Sequence, residues 1–326
     1  MKKTLVALLV ASAATSVNAA EIYKSDDVTV DFYGQLRQTV KFTDKKNTDA
    51  KIDAGSSRLG VDVGYTAVEE GIKFVGKFEW GVGGPRSEMA RDVDVHVRQH
   101  HVGVETNYGL MTFGKQAPLA DDVWGASYAY EYDLAPYSGK LNTSEYFWQP
   151  NAIKYQLSLD NSWVKAQYNL SENNSSPELF EFFVGTSFDA LSLHAGTSLL
   201  TDKTTNKEKT KVSNVEETYV ELTAEYALST GTVGFTYAYN KSEDKAAKTS
   251  TKSDGYHLGG KFKVANKTSV YGGLQYIDTD ADVTNLYLGA EYNFAKWART
   301  YVEYGFNDTD NKSNENKLAI GARVYW

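Results

Sequence analysis

The sequence predicts an all-β fold, a 16-stranded antiparallel transmembrane β-barrel. Apolar and polar residues alternate with a period of two along most of the chain, as expected for strands whose two faces meet different surroundings. Short connections alternate with long polar ones, and together they separate sixteen strands. The composition, with 23 Tyr, 14 Phe and only 5 Pro in 326 residues, favours strands and supplies aromatic girdles for the two membrane interfaces.

The N-terminus reads as an export signal. Lys2 and Lys3 provide positive charge, Thr4 to Val17 is almost entirely apolar or small, and small residues stand at Val17 and Ala19. We expect residues 1–19 to be a cleaved secretory signal and residues 20–326 to form the mature barrel, 307 residues (326 minus 19). The rest of the chain has no apolar run long enough to cross a membrane as a helix.

The strands are justified by their alternation. At the end of the chain, apolar residues from Leu318 to Val324 share one face with Trp326, while Lys317 and Arg323 fall on the other. The same pattern recurs in segments that begin at Arg58, Val164, Tyr219, Val233 and Leu286. One face can therefore meet lipid while the other meets water.

The connections alternate in length. The seven short turns lie near Ala67–Gly71, Thr106–Gly109, Leu159–Ser162, Asp189–Ala190, Leu228–Gly231, Ala265–Lys267 and Asn293–Lys296. The eight longer loops are predicted at Thr43–Gly55, Gly83–Asp92, Ala117–Gln149, Ser171–Glu178, Leu200–Asn214, Ser242–Asp254, Asp278–Ala281 and Asn307–Asn314. An even number of strands lets the sheet close on itself, which removes the open edge that hydrocarbon cannot tolerate.

One strand departs from the alternation. In Val95–Val104, one face carries Arg98, His100, Val102 and Val104 and the other carries Val97, Gln99, His101 and Gly103, so polar and apolar side chains are mixed on both. Either another subunit covers the outer face of this strand, or a β-bulge shifts its register. A soluble sandwich or propeller would also alternate, but the chain shows no repeat of the kind a propeller requires.

Composition excludes several function classes. The net charge is -8, or -10 once Lys2 and Lys3 leave with the signal, which argues against nucleic acid as a partner. Without cysteine there is no catalytic thiol and no Cys-ligated metal. We expect no metal at His96, His100 and His101, because no carboxylate cluster nearby completes a ligand set. No nucleophile motif accompanies a histidine, so we expect neither an enzyme nor a cofactor.

At this point the sequence resembles the general porins of Gram-negative bacteria, and most closely those of vibrios. The resemblance rests on short motifs in the same order along the whole mature chain: Val30 to Arg37, Ser57 to Gly60, Gly71 to Glu79, Arg98 with Val102 to Val104, Tyr108 to Lys115, Asn151 to Tyr155, and the terminal Trp326.

The resemblance implies a homotrimer in the outer membrane, in contact with its lipid and lipopolysaccharide. Each barrel would let small hydrophilic solutes and ions diffuse passively. The net charge of -10 and the acidic third loop of this sequence add the expectation of a weak cation preference. The third loop, residues 117–149, would fold inward and narrow the pore, its acids Asp121, Asp122, Glu131 and Asp133 facing a basic wall of Arg37, Arg58, Arg98 and Lys77. Trp326 would be the signal read by the barrel-assembly machinery.

The loop departs from the family pattern at Pro118–Asp122, and Gln149 and Pro150 stand where an arginine is common. It also carries several tyrosines, which would make the pore narrower or more apolar. Two alternatives therefore stay open: a substrate-specific channel, for instance for sugars, and a structural or adhesive barrel with a blocked lumen.

Overall fold

The computed structural model describes residues 19–48, 50–66, 71–82, 95–123, 125–134, 148–204 and 213–326. The predicted signal, except Ala19, lies outside these residues, as do the whole second loop and parts of the third and fifth loops. Cleavage after Ala19 therefore stays a prediction. No helix among the described segments is both long and apolar enough to cross a membrane.

Sixteen long strands form the barrel. They are β1 (Val28–Thr43), β2 (Arg58–Thr66), β3 (Lys73–Val82), β4 (Val95–Thr106), β5 (Gly109–Gln116), β6 (Gln149–Ser158), β7 (Ser162–Asn169), β8 (Glu178–Phe188), β9 (Leu191–Asp202), β10 (Val215–Ala227), β11 (Gly231–Asp244), β12 (Thr249–Ala265), β13 (Thr268–Asp278), β14 (Val283–Ala295), β15 (Ala298–Thr309) and β16 (Glu315–Tyr325). Two short strands, Ala20–Lys24 and Lys51–Asp53, pair with β1, and one helix, α1 (Leu119–Val123), lies in the third loop.

The sheet is closed. Each strand pairs antiparallel with the next, and β16 returns to β1 with a register that runs from Lys317 opposite Thr43 to Tyr325 opposite Gln35. The short Ala20–Lys24 strand lies beside the first half of β1, where β16 has already ended. The predicted closed barrel of sixteen antiparallel strands is confirmed.

The two faces of the wall differ as the alternation predicts. On β14, Tyr287 is fully buried whereas the neighbouring Leu288 is 61% exposed, and on β15 Glu303 is buried between the exposed Val302 and Tyr304. The register places the polar faces of neighbouring strands side by side around the ring. The exposed apolar face meets lipid, and the polar face encloses the lumen.

A β-bulge explains the irregular fourth strand. The pairing of β3 with β4 passes from Glu79 opposite Gln99 to Trp80 opposite Val97, so Arg98 is the extra residue. Beyond the bulge His101 pairs with the lumen-facing Lys77, whereas His100 packs against Phe78 on the outer face. Of the two explanations offered by the sequence, the register shift is the one observed.

One predicted loop is wrong. The sixth loop was expected over Ser242–Asp254, but β11 and β12 stay paired as far as Asp244 opposite Thr249, which leaves only Lys245–Lys248 as the connection. The segment is polar on both faces, so it resembles a loop in composition, yet its Thr and Ser residues suit a two-stranded ribbon. At the third loop, Gln149 already belongs to β6.

Candidate functional site: a loop bound inside the barrel

The third loop enters the barrel through α1. The carboxylate of Glu181 on β8 accepts hydrogen bonds from the backbone N–H groups of Leu119 at 2.5 Å and Ala120 at 3.2 Å. These are N–H groups of the first helical turn, which have no partner within a helix. Leu119 and Val123 pack into an apolar cluster with Phe183. The sequence forms a helix here because Pro118 precedes a run without Gly or Pro.

After α1 the loop follows the lumen-facing wall toward β15. The Ala126 N–H donates to the Thr236 hydroxyl at 2.7 Å, and the Tyr128 N–H donates to the Tyr287 hydroxyl at 3.2 Å. Further along, the side-chain amide of Gln275 both accepts from the Leu134 N–H and donates to the Leu134 carbonyl, each at 2.8 Å. All three wall residues point inward, so this part of the loop lies within the barrel.

The loop tip, defined here as Tyr130–Tyr132, is held by one carboxylate. Glu303 on β15 accepts the backbone N–H groups of Tyr130 at 2.6 Å, Glu131 at 3.0 Å and Tyr132 at 2.7 Å. It also accepts the Tyr271 hydroxyl at 2.9 Å. Three consecutive N–H groups directed at one buried carboxylate fix both the position and the orientation of the tip.

Glu131 meets the basic wall at β1. Its carboxylate bonds to the Arg37 guanidinium and the Tyr301 hydroxyl, and lies 2.8 Å from the Lys41 ammonium. Burial acts to raise the pKa of Glu131, but Arg37 and Lys41 outweigh it and hold that pKa below its usual value. Glu131 and Arg37 are thus one predicted acid and one predicted base that the structure brings together, and Glu131 stays charged.

Arg58 and Arg98 face a different partner. Their Nε atoms lie 3.3 Å and 2.7 Å from the carboxylate of Glu79, which is 1% exposed and also accepts the Tyr33 hydroxyl at 3.0 Å. Two wall arginines therefore share one wall carboxylate, and neither forms an ion pair with an acid in the described part of the loop. The guanidinium of Arg98 also lies 4.5 Å from the ring of Trp148.

Lys77 is likewise paired on the wall. Its ammonium lies 2.9 Å from Asp62 on the neighbouring strand β2 and 4.4 Å from the centre of the Tyr33 ring. Lys77 does not contact the described part of the loop.

The remaining loop acids are placed unevenly. Asp122 pairs with Lys154 of β6 at 2.5 Å, whereas Asp133 accepts the Ser127 hydroxyl at 2.8 Å and is bonded within the loop. Burial, helped by the neighbouring charge of Asp122, raises the pKa of Asp121 to about 6. Burial also raises the pKa of Asp133. Glu145 and Lys140 lie outside the described residues.

The contacts described above join the third loop to the inward-facing side chains of a closed barrel. A family model identifies the kind of barrel. The model described as "Gram-negative porin" matches residues 6–312. The chain belongs to the Gram-negative porin family. This porin is therefore an outer-membrane β-barrel channel, and its family and fold are those of non-enzymatic channels.

Individual relatives support the same assignment. The porin is 25% identical to outer membrane protein U of Vibrio parahaemolyticus, over 98% of this chain and 93% of the relative. Outer-membrane-expressed OmpT of Vibrio cholerae is 35% identical, with a TM-score of 0.80 over 94% of this chain and 100% of that one. A structure titled as the trimer form of in-vitro folded OmpT is 34% identical, with a TM-score of 0.77 over 92% and 100%. The resemblance to vibrio porins is confirmed.

Trp326 lies where the barrel closes. Its backbone exchanges two hydrogen bonds with Gly34 of β1, at 2.9 Å and 3.2 Å. The indole covers Gly34 so closely that a Cβ at that position would lie 2.2 Å from the ring, and the Phe32 ring is 6.2 Å away. Gly34 leaves room for the terminal indole. Its role as an assembly signal stays a prediction.

Several charged residues of the lumen are not among the predicted site residues. They are Lys41, Glu79, Lys154, Lys261, Glu291, Arg299, Glu303 and Arg323. Alternation already places Arg323 on the inner face, so counting inward charges on every strand would have found it. No sequence signal shows that Glu303 holds the loop, because that contact depends on how far the loop reaches.

The histidines form no metal site in the structure. Among the described residues, no group of three or more His, Asp or Glu side chains could hold a metal ion. A spacing of four would put His96 and His100 on one face of a regular strand, but the bulge places His96 opposite Gly81 on the inner face and His100 opposite Phe78 on the outer face.

Proposed function

We propose that this porin is a general diffusion channel, through which small hydrophilic solutes and ions pass down their gradients. The observation that carries the proposal is the closed barrel with a polar inner face. The third loop is bound along this face, and its described part does not contact most of the wall formed by β2–β4. The described loop contacts lie on β1, β4, β6, β8 and β10–β16, and the only one on β4 among the described residues is that of Trp148 with Arg98. This arrangement supports a narrowed passage with an open side.

The passage would be bounded by opposed charges. On one side stand the loop acids Asp121 and Asp122. On the other stand Arg58 of β2 and Arg98 of β4, which share Glu79 as their one ion-pair partner among the described residues. Because two bases share one acid, the pair keeps a positive excess toward the lumen. Charges of opposite sign across a narrow opening orient dipolar solutes and disfavour bulky apolar ones.

The cation preference would be weak. Its support is the net charge of -10 expected after the signal is removed and the acidic loop. The preference would be weak because wall bases neutralise two of the loop acids: Glu131 pairs with Arg37 and Lys41, and Asp122 pairs with Lys154. Asp121, with a pKa of about 6, carries only part of its charge in mildly acidic solution.

The assembly would be a homotrimer. The relative described as a trimer form, OmpT of Vibrio cholerae, matches nearly the whole chain. The outer faces of β4 and β5 also carry His100 and Lys115, both unfavourable in hydrocarbon. A second copy of the chain would cover these side chains.

A sugar-specific channel is less well supported than a general pore. Stacking of sugar rings needs exposed aromatic faces, but Tyr128 and Tyr130 of the described loop segment bond to the wall through their hydroxyls. Tyr128 donates to Glu225 at 2.6 Å, and Tyr130 lies between Tyr271 and Tyr301 at 5.3 Å and 4.6 Å between ring centres.

Single-channel recording of the purified protein in a planar bilayer tests the proposal. We expect steps in groups of three, conductance linear in salt, and a reversal potential of cationic sign in a salt gradient. Anionic sign would contradict the selectivity, saturation by a sugar would favour the specific channel, and no steps from folded protein would indicate a sealed lumen.

A further inference from the structure

Three bases converge near the periplasmic exit of the lumen. We name Lys261 of β12, Arg299 of β15 and Arg323 of β16 the exit cluster. All three are on the inner face, toward the ends of their strands that meet the short turns, which is the periplasmic side. They surround the ring of Tyr130, at 4.3 Å for Arg323, 5.4 Å for Lys261 and 5.9 Å for Arg299.

The exit cluster has more positive than negative charge. Glu291 lies 2.8 Å from Lys261 and 3.6 Å from Arg299, and accepts the Tyr130 hydroxyl. Arg323 has no carboxylate within ion-pair distance among the residues that the structure describes. Three bases against one acid leave an excess of two positive charges.

The neighbouring wall does not remove this excess. The register places Arg323 opposite Arg37 on one side and opposite Arg299 on the other, so the lumen here carries three adjacent arginines. Glu131 offsets Arg37, but it is shared with Lys41. The other carboxylate nearby, that of Glu303, is bonded to three N–H groups of the loop tip and to the Tyr271 hydroxyl, and it forms no ion pair with the exit cluster among the described residues.

We propose that the exit cluster binds phosphate, either as the free dianion or as the phosphate group of a small solute. A dianion matches the excess charge. Two guanidinium groups offer fixed forks suited to phosphate oxygens, and Lys261 adds a flexible donor. The side chains of Lys261 and Arg299 are 30% and 27% exposed, so each keeps donor atoms open to the lumen.

The site would act on solutes that have already passed the loop tip. A phosphorylated solute leaving the narrow region would meet the exit cluster before the periplasm, and weak binding there would favour its entry without trapping it. The inference rests on the proposed function only for this transport role, since phosphate can bind whether or not ions flow.

Binding is measured directly on the folded protein in detergent. The probe is inorganic phosphate at about pH 8, where it is doubly ionised, observed by broadening of its phosphorus-31 resonance as protein is added. We expect saturable broadening that Arg323→Gln weakens roughly tenfold, because a charge-assisted donor is lost. Lys261→Gln is the second variant, and Lys165→Gln on β7 is the matched control, expected to bind as the unmodified protein does.

Glycerol phosphate separates the two sources of the ligand. Saturable broadening of its resonance extends the site to phosphorylated solutes, and broadening of inorganic phosphate alone restricts it to the ion. Absence of saturation for both probes, or equal loss in Lys165→Gln and Arg323→Gln, would overturn the proposal. Potassium chloride conductance of the same samples distinguishes the phosphate site from the diffusion channel. Conductance without phosphate binding would refute only the phosphate site. Phosphate binding without conductance would refute only the diffusion channel.

Discussion

Replacing Glu303 by Gln should release the loop tip. Each carboxylate oxygen of Glu303 accepts two hydrogen bonds: Oε2 from the Tyr130 N–H and the Tyr271 hydroxyl, and Oε1 from the N–H groups of Glu131 and Tyr132. A glutamine has one oxygen, so two donors would face an NH₂ group instead. Hydrogen bonds to a charged group contribute about 1.5–3 kcal/mol each, so the loss is about 3–6 kcal/mol.

The lower end of that range is the better expectation. Burying a neutral amide costs less free energy than burying a carboxylate, and this difference offsets part of the binding free energy lost with the two hydrogen bonds. Even about 3 kcal/mol changes the docked-to-released ratio by more than a hundredfold. A released tip leaves the wall and also removes Glu131 from Arg37, so we expect larger conductance and more open-channel noise in bilayer recordings.

The control for this experiment is Glu178→Gln. That carboxylate accepts the Tyr168 hydroxyl on the exposed outer face and does not touch the loop. Heat-modifiable migration on gels shows whether each variant forms a folded barrel. Conductance and noise of Glu303→Gln equal to those of Glu178→Gln would refute the view that Glu303 holds the tip.

Three further predictions concern selectivity and assembly. Arg58→Gln with Arg98→Gln should shift the reversal potential toward cations and raise conductance, because Glu79 loses both partners; unchanged values would show that this pair does not border the passage. Cation preference should fall as the pH drops through about 6, where Asp121 takes up a proton, and Asp121→Asn should flatten that pH profile. Deleting Trp326, or introducing Gly34→Val beneath its indole, should lower the yield of inserted trimer, and a normal yield of both would count against the packing argument.

The sequence predicts the wall better than the lumen contacts. Period-two alternation depends only on the two environments of a strand, so it places Arg323 and Lys317 correctly on the inner face. Alternation does not reveal the ribbon formed by the ends of β11 and β12, because a strand with water on both faces has no pattern of apolar and polar residues.

Contacts inside the barrel depend on quantities that a single sequence does not contain. Arg58 and Arg98 meet at Glu79 only because β2, β3 and β4 pair in one register and a bulge turns Arg98 inward. Likewise, the bond from Glu303 to the loop tip joins residues 172 positions apart in the chain. Opposite charge predicts acids near the basic wall, but it does not say whether an acid comes from the loop or from the wall. Arg37 pairs with Glu131 of the loop, whereas Arg58 and Arg98 pair with Glu79 of the wall.

The bulge at Arg98 also bears on how such a wall can change length during evolution. In a strictly alternating strand, one inserted or deleted residue exchanges the lipid and water faces of everything beyond it, so lengths are free to vary only in steps of two. At β4 the bulge accommodates the extra residue, Arg98, at one position. The residues on either side of it pair regularly with β3 and keep their inner and outer faces. Deleting Arg98 would therefore remove an arginine from the lumen without shifting the frame: Val97 would stay opposite Trp80 on the outer face, and His96 would stay opposite Gly81 on the inner face.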